Sequence, residues 1–301
     1  MDVAITGASG LIGTALGRSL RQDGHTVRPV VRRASDDPLA VRWDPAAGTI
    51  AAEGLAGVDA VVHLAGAGIG DRRWSADRKR EILESRTRGT GLVARTVAAM
   101  ASPPAVLVSA SAIGFYGDPG DEVVTELSPP GDDFVAGIVQ AWEAAAQPAV
   151  DAGIRTVFPR FAPVLARDGG ILGRMALPFR LFVGGPLGSG RQWMSWVTLD
   201  DAVAALRFLI DRDDIEGPVN VAAPEPVTNR EMAGAIGRAL HRPSALPAPT
   251  FALRLVLGRG RADSLLFVSQ RVRPDVLMGA GFAFAHPDID AALAATLGEA
   301  A

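Results

Sequence analysis

Three glycines spaced three apart, Gly7, Gly10 and Gly13, follow the apolar run Val3–Thr6 and open an amphipathic stretch over Leu11–Gln22. Strand, glycine turn and helix in that order constrain this chain more than any other feature. A glycine at 7 permits a tight turn, one at 10 lets backbone approach a bound group, and one at 13 lets the helix pack closely on the strand. The first turn of such a helix offers unpaired N–H groups and a partial positive charge, which suits a pyrophosphate. Gly7, Ser9, Gly10, Leu11, Ile12 and Gly13 therefore read as the contacts of a dinucleotide-binding turn.

The same alternation continues. Apolar runs at Thr26–Val31, Val41–Trp43, Asp59–Leu64, Ala105–Ala110 and Arg155–Phe161 read as strands, and Asp77–Met100 and Ile138–Ala152 as helices. Strands separated by helices imply βαβ units and a parallel sheet covered on both faces. After about residue 162 glycine pairs break the rhythm, before a helix at Asp200–Asp211, a returning strand at Gly217–Ala222 and a helix at Asn229–Leu240. The expected fold is α/β: a doubly wound parallel-sheet Rossmann fold with a smaller, mostly helical C-terminal substrate-side region. Residues 1–165, with 196–225 returning, form the dinucleotide-binding part. Residues 166–195 and 226–301 form the substrate-side part, with a separate C-terminal domain at about 247–297.

The end of the second strand discriminates between dinucleotides. A site for the unphosphorylated ribose places an acid about 20 residues after the glycines. Here the strand runs into Arg32 and Arg33 with no acid. Guanidinium groups match a 2′-phosphate in charge and geometry, so NADP(H) is the expected cofactor, with Arg32 the better placed.

Composition removes other classes. The 301 residues contain no cysteine, which excludes disulfides, thiolate metal sites and a cysteine nucleophile. A formal charge of −3 is poor for binding nucleic acid. Four scattered histidines show no helical metal-site spacing, and no protein-bound metal is expected. No apolar run reaches the ~20 residues of a membrane span. The chain begins directly in a strand, leaving no room for a leader, so a cytoplasmic location without membrane contact is expected. Monomer and homodimer both stay open.

The TGxxGxxG glycines, the strand ending His63-Leu64-Ala65-Gly66 and the run SASAIGFYG at 109–117 resemble an extended short-chain dehydrogenase/reductase. The segments GGPLGSGRQWMSWVTLDD at 184–201, GPVNVAAPEPVTNRE at 217–231 and GFAFAHPDID at 281–290 resemble one atypical branch. That branch is the nucleoside-diphosphate-sugar epimerase-like family with its own short C-terminal domain. The resemblance implies a nicotinamide nucleotide in the first half, held also by Leu64, Ala65, Gly66, Arg86, Ser109 and Arg160. It implies a substrate pocket that the strand-end Ser111 faces, and a loop after the glycines whose Arg191 and Trp193 handle substrate; Tyr116, in a glycine-flanked loop five residues on, is placed either to bring its phenol to that pocket as the proton donor or to pack as an ordinary loop tyrosine.

One departure stands out. Short-chain dehydrogenases commonly use a Tyr-x-x-x-Lys dyad for proton transfer. This chain has one tyrosine, Tyr116, and one lysine, Lys79, in the wrong order. Where the dyad belongs, Phe134–Val139 is apolar. The expected function is an NADP(H)-dependent oxidoreductase or epimerase-like protein acting on a small polar substrate without that dyad. The alternative is an NADP(H)-binding regulatory or scaffold protein with little or no turnover.

Overall fold

The computed structural model describes residues 1–298 except 168; the end of the expected substrate-side region, 299–301, lies outside the described residues. Strands β1 (Asp2–Thr6), β2 (Thr26–Val31), β3 (Val41–Asp44), β4 (Thr49–Ile50), β5 (Ala60–His63), β6 (Val106–Ser109), β7 (Ser111–Ala112), β8 (Arg155–Phe161) and β9 (Gly217–Val221) share one sheet. Its order is β9-β8-β6-β5-β1-β2-β3-β4, with β7 pairing β8. Every pairing is parallel except β3 with β4. The order reverses direction between β1 and β5, and ligands of such sheets bind in the crevice beyond the strand ends at that point.

Alternation along the strands builds a core on each face. Val3 and Ile5 of β1, Val62 of β5 and Val106 and Val108 of β6 join one cluster, with helices α1 (Leu11–Gln22) and, later, Leu206 and Leu209. Ala4, Val61 and Leu107, one residue out of step, join the opposite cluster with Leu92, Val93 and Val97 of α2 (Ala76–Ala98). A period of two along each strand sends successive side chains to opposite faces, so a strand buried on both sides reads as an unbroken apolar run.

Helix α2 is capped by Ser75, and α3 (Phe134–Ala144) by Asp133, each side chain accepting a backbone N–H of the first turn. The helix expected over Ile138–Ala152 is thus two: α3 starts four residues earlier, and α4 (Gln147–Asp151) follows, with Pro148 in its first turn. The stretch after residue 162 holds a helix that the glycine pairs conceal, α5 (Leu172–Arg180). Then come α6 (Leu199–Asp211) and α7 (Asn229–Leu240). The tail carries α8 (Thr250–Leu257), α9 (Arg259–Ala262), α10 (Asp275–Gly279) and α11 (Ile289–Leu297).

Leu172, Phe179, Trp196, Met232, Ile236, Ile289 and Leu293 form a third apolar cluster that joins the tail to α5 and α7. Asp201, one of two acids opening α6, reads from sequence as a cap for that helix. Thr198 is the cap, and buried Asp201 accepts N–H groups from Ala285 and His286, tying the tail to the sheet domain. Among the described residues no helix is long and apolar enough to cross a membrane.

Candidate functional site: an open phosphate turn and a closed polar cluster

The turn from β1 into α1 is shaped by backbone crowding. A Cβ on Gly13 would stand 2.3 Å from the Gly7 carbonyl oxygen, and one on Gly7, at φ +69°, would stand 2.9 Å from the backbone of Leu64. Gly10 is different: a Cβ there meets only the Gly7 oxygen, at 3.2 Å. Two of the glycines are thus required by the protein itself, and the third leaves room on the groove side. At its N-cap, Gly10, α1 has no side-chain cap, whereas α2, α3, α6, α7 and α11 all have one. First-turn N–H groups without a cap suit a phosphate, and the residues present fit a dinucleotide pyrophosphate.

Around this turn, Thr6 Oγ1 accepts N–H groups from Leu64 (3.1 Å) and Ala65 (3.3 Å) and lies 2.7 Å from His63 Nδ1. The hydroxyl proton therefore goes to Nδ1. Burial holds His63 down to about 4, so its ring is neutral, packed edge-on against Trp43. This brace fixes the Leu64–Gly66 turn against the glycine turn. Arg86 lies beside Gly66, gives N–H groups to the Ala67 and Ile82 carbonyls, and sits 4.9 Å from the centre of the Trp142 ring. Burial lowers it to about 10, which still leaves it charged at neutral pH. Arg32 and Arg33 are exposed just beyond the end of β2 and form no ion pair among the described residues.

The far end of the crevice is built in the opposite way. Ser111 pairs in register with Arg160 across β7 and β8. Its hydroxyl donates to Glu143 of α3 at 2.5 Å. Arg160 grips the same carboxylate with two N–H groups, at 2.8 and 2.9 Å, and donates a third to the Tyr116 hydroxyl at 3.0 Å. Its guanidinium also lies 3.5 Å from the centre of the Phe115 ring. Burial works against the Arg160 charge, but the bonds and charge of Glu143 more than offset it and hold the group above its usual range.

Tyr116 donates to Asn220 Oδ1 at 2.7 Å and is only 3% exposed. Burial pushes its phenol up. This corrects the expectation of a proton donor facing substrate: the hydroxyl is spent inside the protein, joining β8 to β9. Arg160, expected at the cofactor's edge, is 3% exposed and likewise committed to Glu143 and Tyr116. Ser109 is buried with a hydroxyl that has no partner among the described residues.

Glu143 is the residue that reading the sequence missed. It is the only acid in the apolar helix FVAGIVQAWEA, and a lone carboxylate on such a helix, set against an arginine in a buried strand, is a signal for an internal pair.

Arg191 and Trp193 fall elsewhere. They line a depression of about 460 Å³ with Asp121, Gly190, Thr228, Arg230 and Arg271. It shares no lining residue with the Ser111–Glu143 cluster. The segment Ser269–Gln270 lies between, bonded on one side to the Trp193 backbone and on the other to Ile113, Gly117 and Gly120. Trp196 is fully buried core.

A family model described as the NAD dependent epimerase/dehydratase family matches residues 3–222, and a domain of unknown function, DUF1731, matches 248–296. An epimerase family protein of Mycobacterium leprae is 42% identical over 97% of this chain and 94% of its own. The crystal structure of human epimerase family protein SDR39U1 with NADPH superposes with a TM-score of 0.90, at 36% identity over 99% of both chains. A nucleoside-diphosphate sugar epimerase from Corynebacterium glutamicum gives 0.83 at 37% identity, over 99% of this chain and 58% of that one.

Proposed function

The chain belongs to the NAD dependent epimerase/dehydratase family, and on that premise we propose that it is an NADP(H)-dependent oxidoreductase or epimerase-like enzyme of the cytoplasm, acting on a small polar substrate. The observation that carries the cofactor is the uncapped N-terminus of α1 beside two arginines at the end of β2 that form no ion pair among the described residues. The NADPH in the human relative's crystal structure supports the same choice. Arg32 and Arg33 would take the 2′-phosphate, the first turn of α1 the pyrophosphate, and the Leu64–Gly66 turn with Arg86 the nicotinamide side. When bound, the cofactor supplies or accepts a hydride.

The chain's own residues supply the proton handling. Ser111 stands at a strand end with its hydroxyl on Glu143. A substrate hydroxyl brought against Ser111 would pass its proton through that oxygen to the Glu143 carboxylate, which Arg160 holds in place, and in the reverse direction the protonated carboxyl would return that proton through Ser111 to the carbonyl oxygen. Glu143 lies on the helix whose apolar first turns, Phe134–Val139, hold the position of the missing dyad, about one turn further on. A general acid or base of this kind contributes roughly 10²–10⁴-fold in rate.

A second reading has a specific observation in its favour. Ser111 is 2% exposed and Tyr116 3%, with both hydroxyls already bonded internally. A cluster closed in this way suits an NADP(H)-binding regulatory or scaffold protein with little turnover. The test is NADPH oxidation by wild type, Ser111→Ala and Glu143→Gln across a panel of small carbonyl compounds. Turnover that falls in both variants while NADPH affinity holds supports the enzyme. Saturable NADPH binding with no oxidation of any compound selects the second reading.

A further inference from the structure

The depression that holds Arg191 and Trp193 is absorbed by neither reading. Its three guanidiniums come from three separate segments: Arg191 after the 184–190 glycine loop, Arg230 in the first turn of α7, and Arg271 in the short strand Arg271–Val272. Among the described residues the side chains of Arg191 and Arg271 form no hydrogen bond or ion pair. Arg230 gives one N–H to the Ser189 carbonyl, which orients it and leaves its other donors open. Arg271 is set by stacking, 4.2 Å from the centre of the Trp193 ring. The one acid in the lining, Asp121, accepts the Trp193 indole N–H at 3.1 Å. The N-terminus of α7 at the wall is already capped: Thr228 accepts the Glu231 N–H, and the Glu231 carboxylate accepts the N–H and the hydroxyl of Thr228.

Three cations stand against the Asp121 carboxylate of the lining and the Glu231 carboxylate bonded to Thr228, which leaves the depression net positive on a chain of net charge −3. Arginine's planar fork suits an oxyanion, and the volume of about 460 Å³ suits a small molecule.

We propose that this depression is a second ligand site, separate from the nucleotide crevice, for a small molecule bearing phosphate or carboxylate groups. The proposal is independent of the function proposed above, because it requires no turnover. The site also has a mechanical connection to the crevice. Arg271 follows Gln270, whose side chain holds the carbonyls of Ile113 and Gly117 on either side of Tyr116. A ligand that draws on Arg271 pulls on the segment that fixes the Tyr116 loop.

The experiment is calorimetric titration of inorganic phosphate, and separately of citrate, into protein saturated with NADPH, so that the pyrophosphate turn is already filled. The proteins are wild type, Arg191→Gln/Arg271→Gln, and Arg18→Gln/Arg180→Gln, two exposed arginines outside both sites, as a control for loss of two surface charges. Saturable binding of either anion, weakened about tenfold or more in the double variant and unchanged in the control, is the expected result. Phosphate alone binding identifies a phosphoryl ligand, and citrate alone a polycarboxylate. No saturable heat with either anion overturns the proposal, as does an equal loss in the control. Unchanged melting temperature and NADPH affinity in the double variant keep a folding defect from being mistaken for loss of the site.

Discussion

Over β1, β2 and β5 the hydrogen-bond donors stand open: an uncapped helix, two arginines without an ion pair among the described residues, and backbone that glycine keeps clear. Over β7, β8 and β9 the donors are taken: Ser111 by Glu143, Arg160 by Glu143 and Tyr116, Tyr116 by Asn220. The two ends of one sheet therefore respond differently to substitution. At the open end a change should cost ligand affinity and little stability. At the closed end it should cost stability first, because removing one member leaves a buried charge or hydroxyl without its partner.

The largest effect expected from this contrast is Glu143→Ala. Arg160 would keep its charge, 3% exposed, with only the Tyr116 oxygen left to accept from it. Breaking a buried pair in this way costs about 3–5 kcal/mol. Urea unfolding measures it, and a loss below about 1 kcal/mol would show that Glu143 is solvated and the cluster open.

At the other end, Gly10→Val should leave a folded protein at a small cost, since an added Cβ there meets one oxygen at a tight 3.2 Å and the Gly7 carbonyl need give only a few tenths of an ångström. Its branches would project where the pyrophosphate goes, and NADPH affinity should fall about a hundredfold or more, near 3 kcal/mol. A variant that binds NADPH normally, or that unfolds, breaks the contrast at its open end.

Smaller again is Arg32→Ala. Loss of one charge-assisted bond to a 2′-phosphate is worth roughly 1.5–3 kcal/mol, or about 10- to 100-fold for NADPH, with NADH hardly affected. Equal losses for the two nucleotides would make Arg32 structural.

How much of this was legible in the sequence follows the same division. The open end is written locally: Gly7 to Gly13 and Arg32 lie within 26 residues, and α1, β2 and β8 fall where periodicity put them. The closed end is written at long range. Ser111 and Glu143 are 32 residues apart and Tyr116 and Asn220 104, distances over which neither periodicity nor spacing carries information. Tyr116 drew attention as the only tyrosine, and its partner on β9 decided its role. Arg191 and Trp193 were noticed for their glycine loop, but a residue's position in a loop does not say which of two depressions it enters. Helix α3 began earlier than expected because the cap at Asp133 outweighed the apolar start at Ile138.

The smallest effect concerns the seam between closed end and tail. Glu126 is 8% exposed; one carboxylate oxygen accepts N–H groups from Asn220 of β9 and Val276 of α10, and the other has no partner among the described residues. Burial pushes this carboxyl above its usual range, and Asp275 adds to the shift. The unfolded chain releases this proton near the ordinary glutamate range, while the folded protein keeps it to higher pH. Between those two values the folded state binds more protons, so stability declines as pH rises through the window. Glu126→Gln keeps an oxygen for both N–H groups and has no charge to bury. It should match wild type at low pH and exceed it above the window, with a flatter stability profile. Denaturant unfolding across pH measures this. A variant less stable than wild type at every pH would mean that Glu126 is ionised in the folded protein and that its charge holds the tail in place.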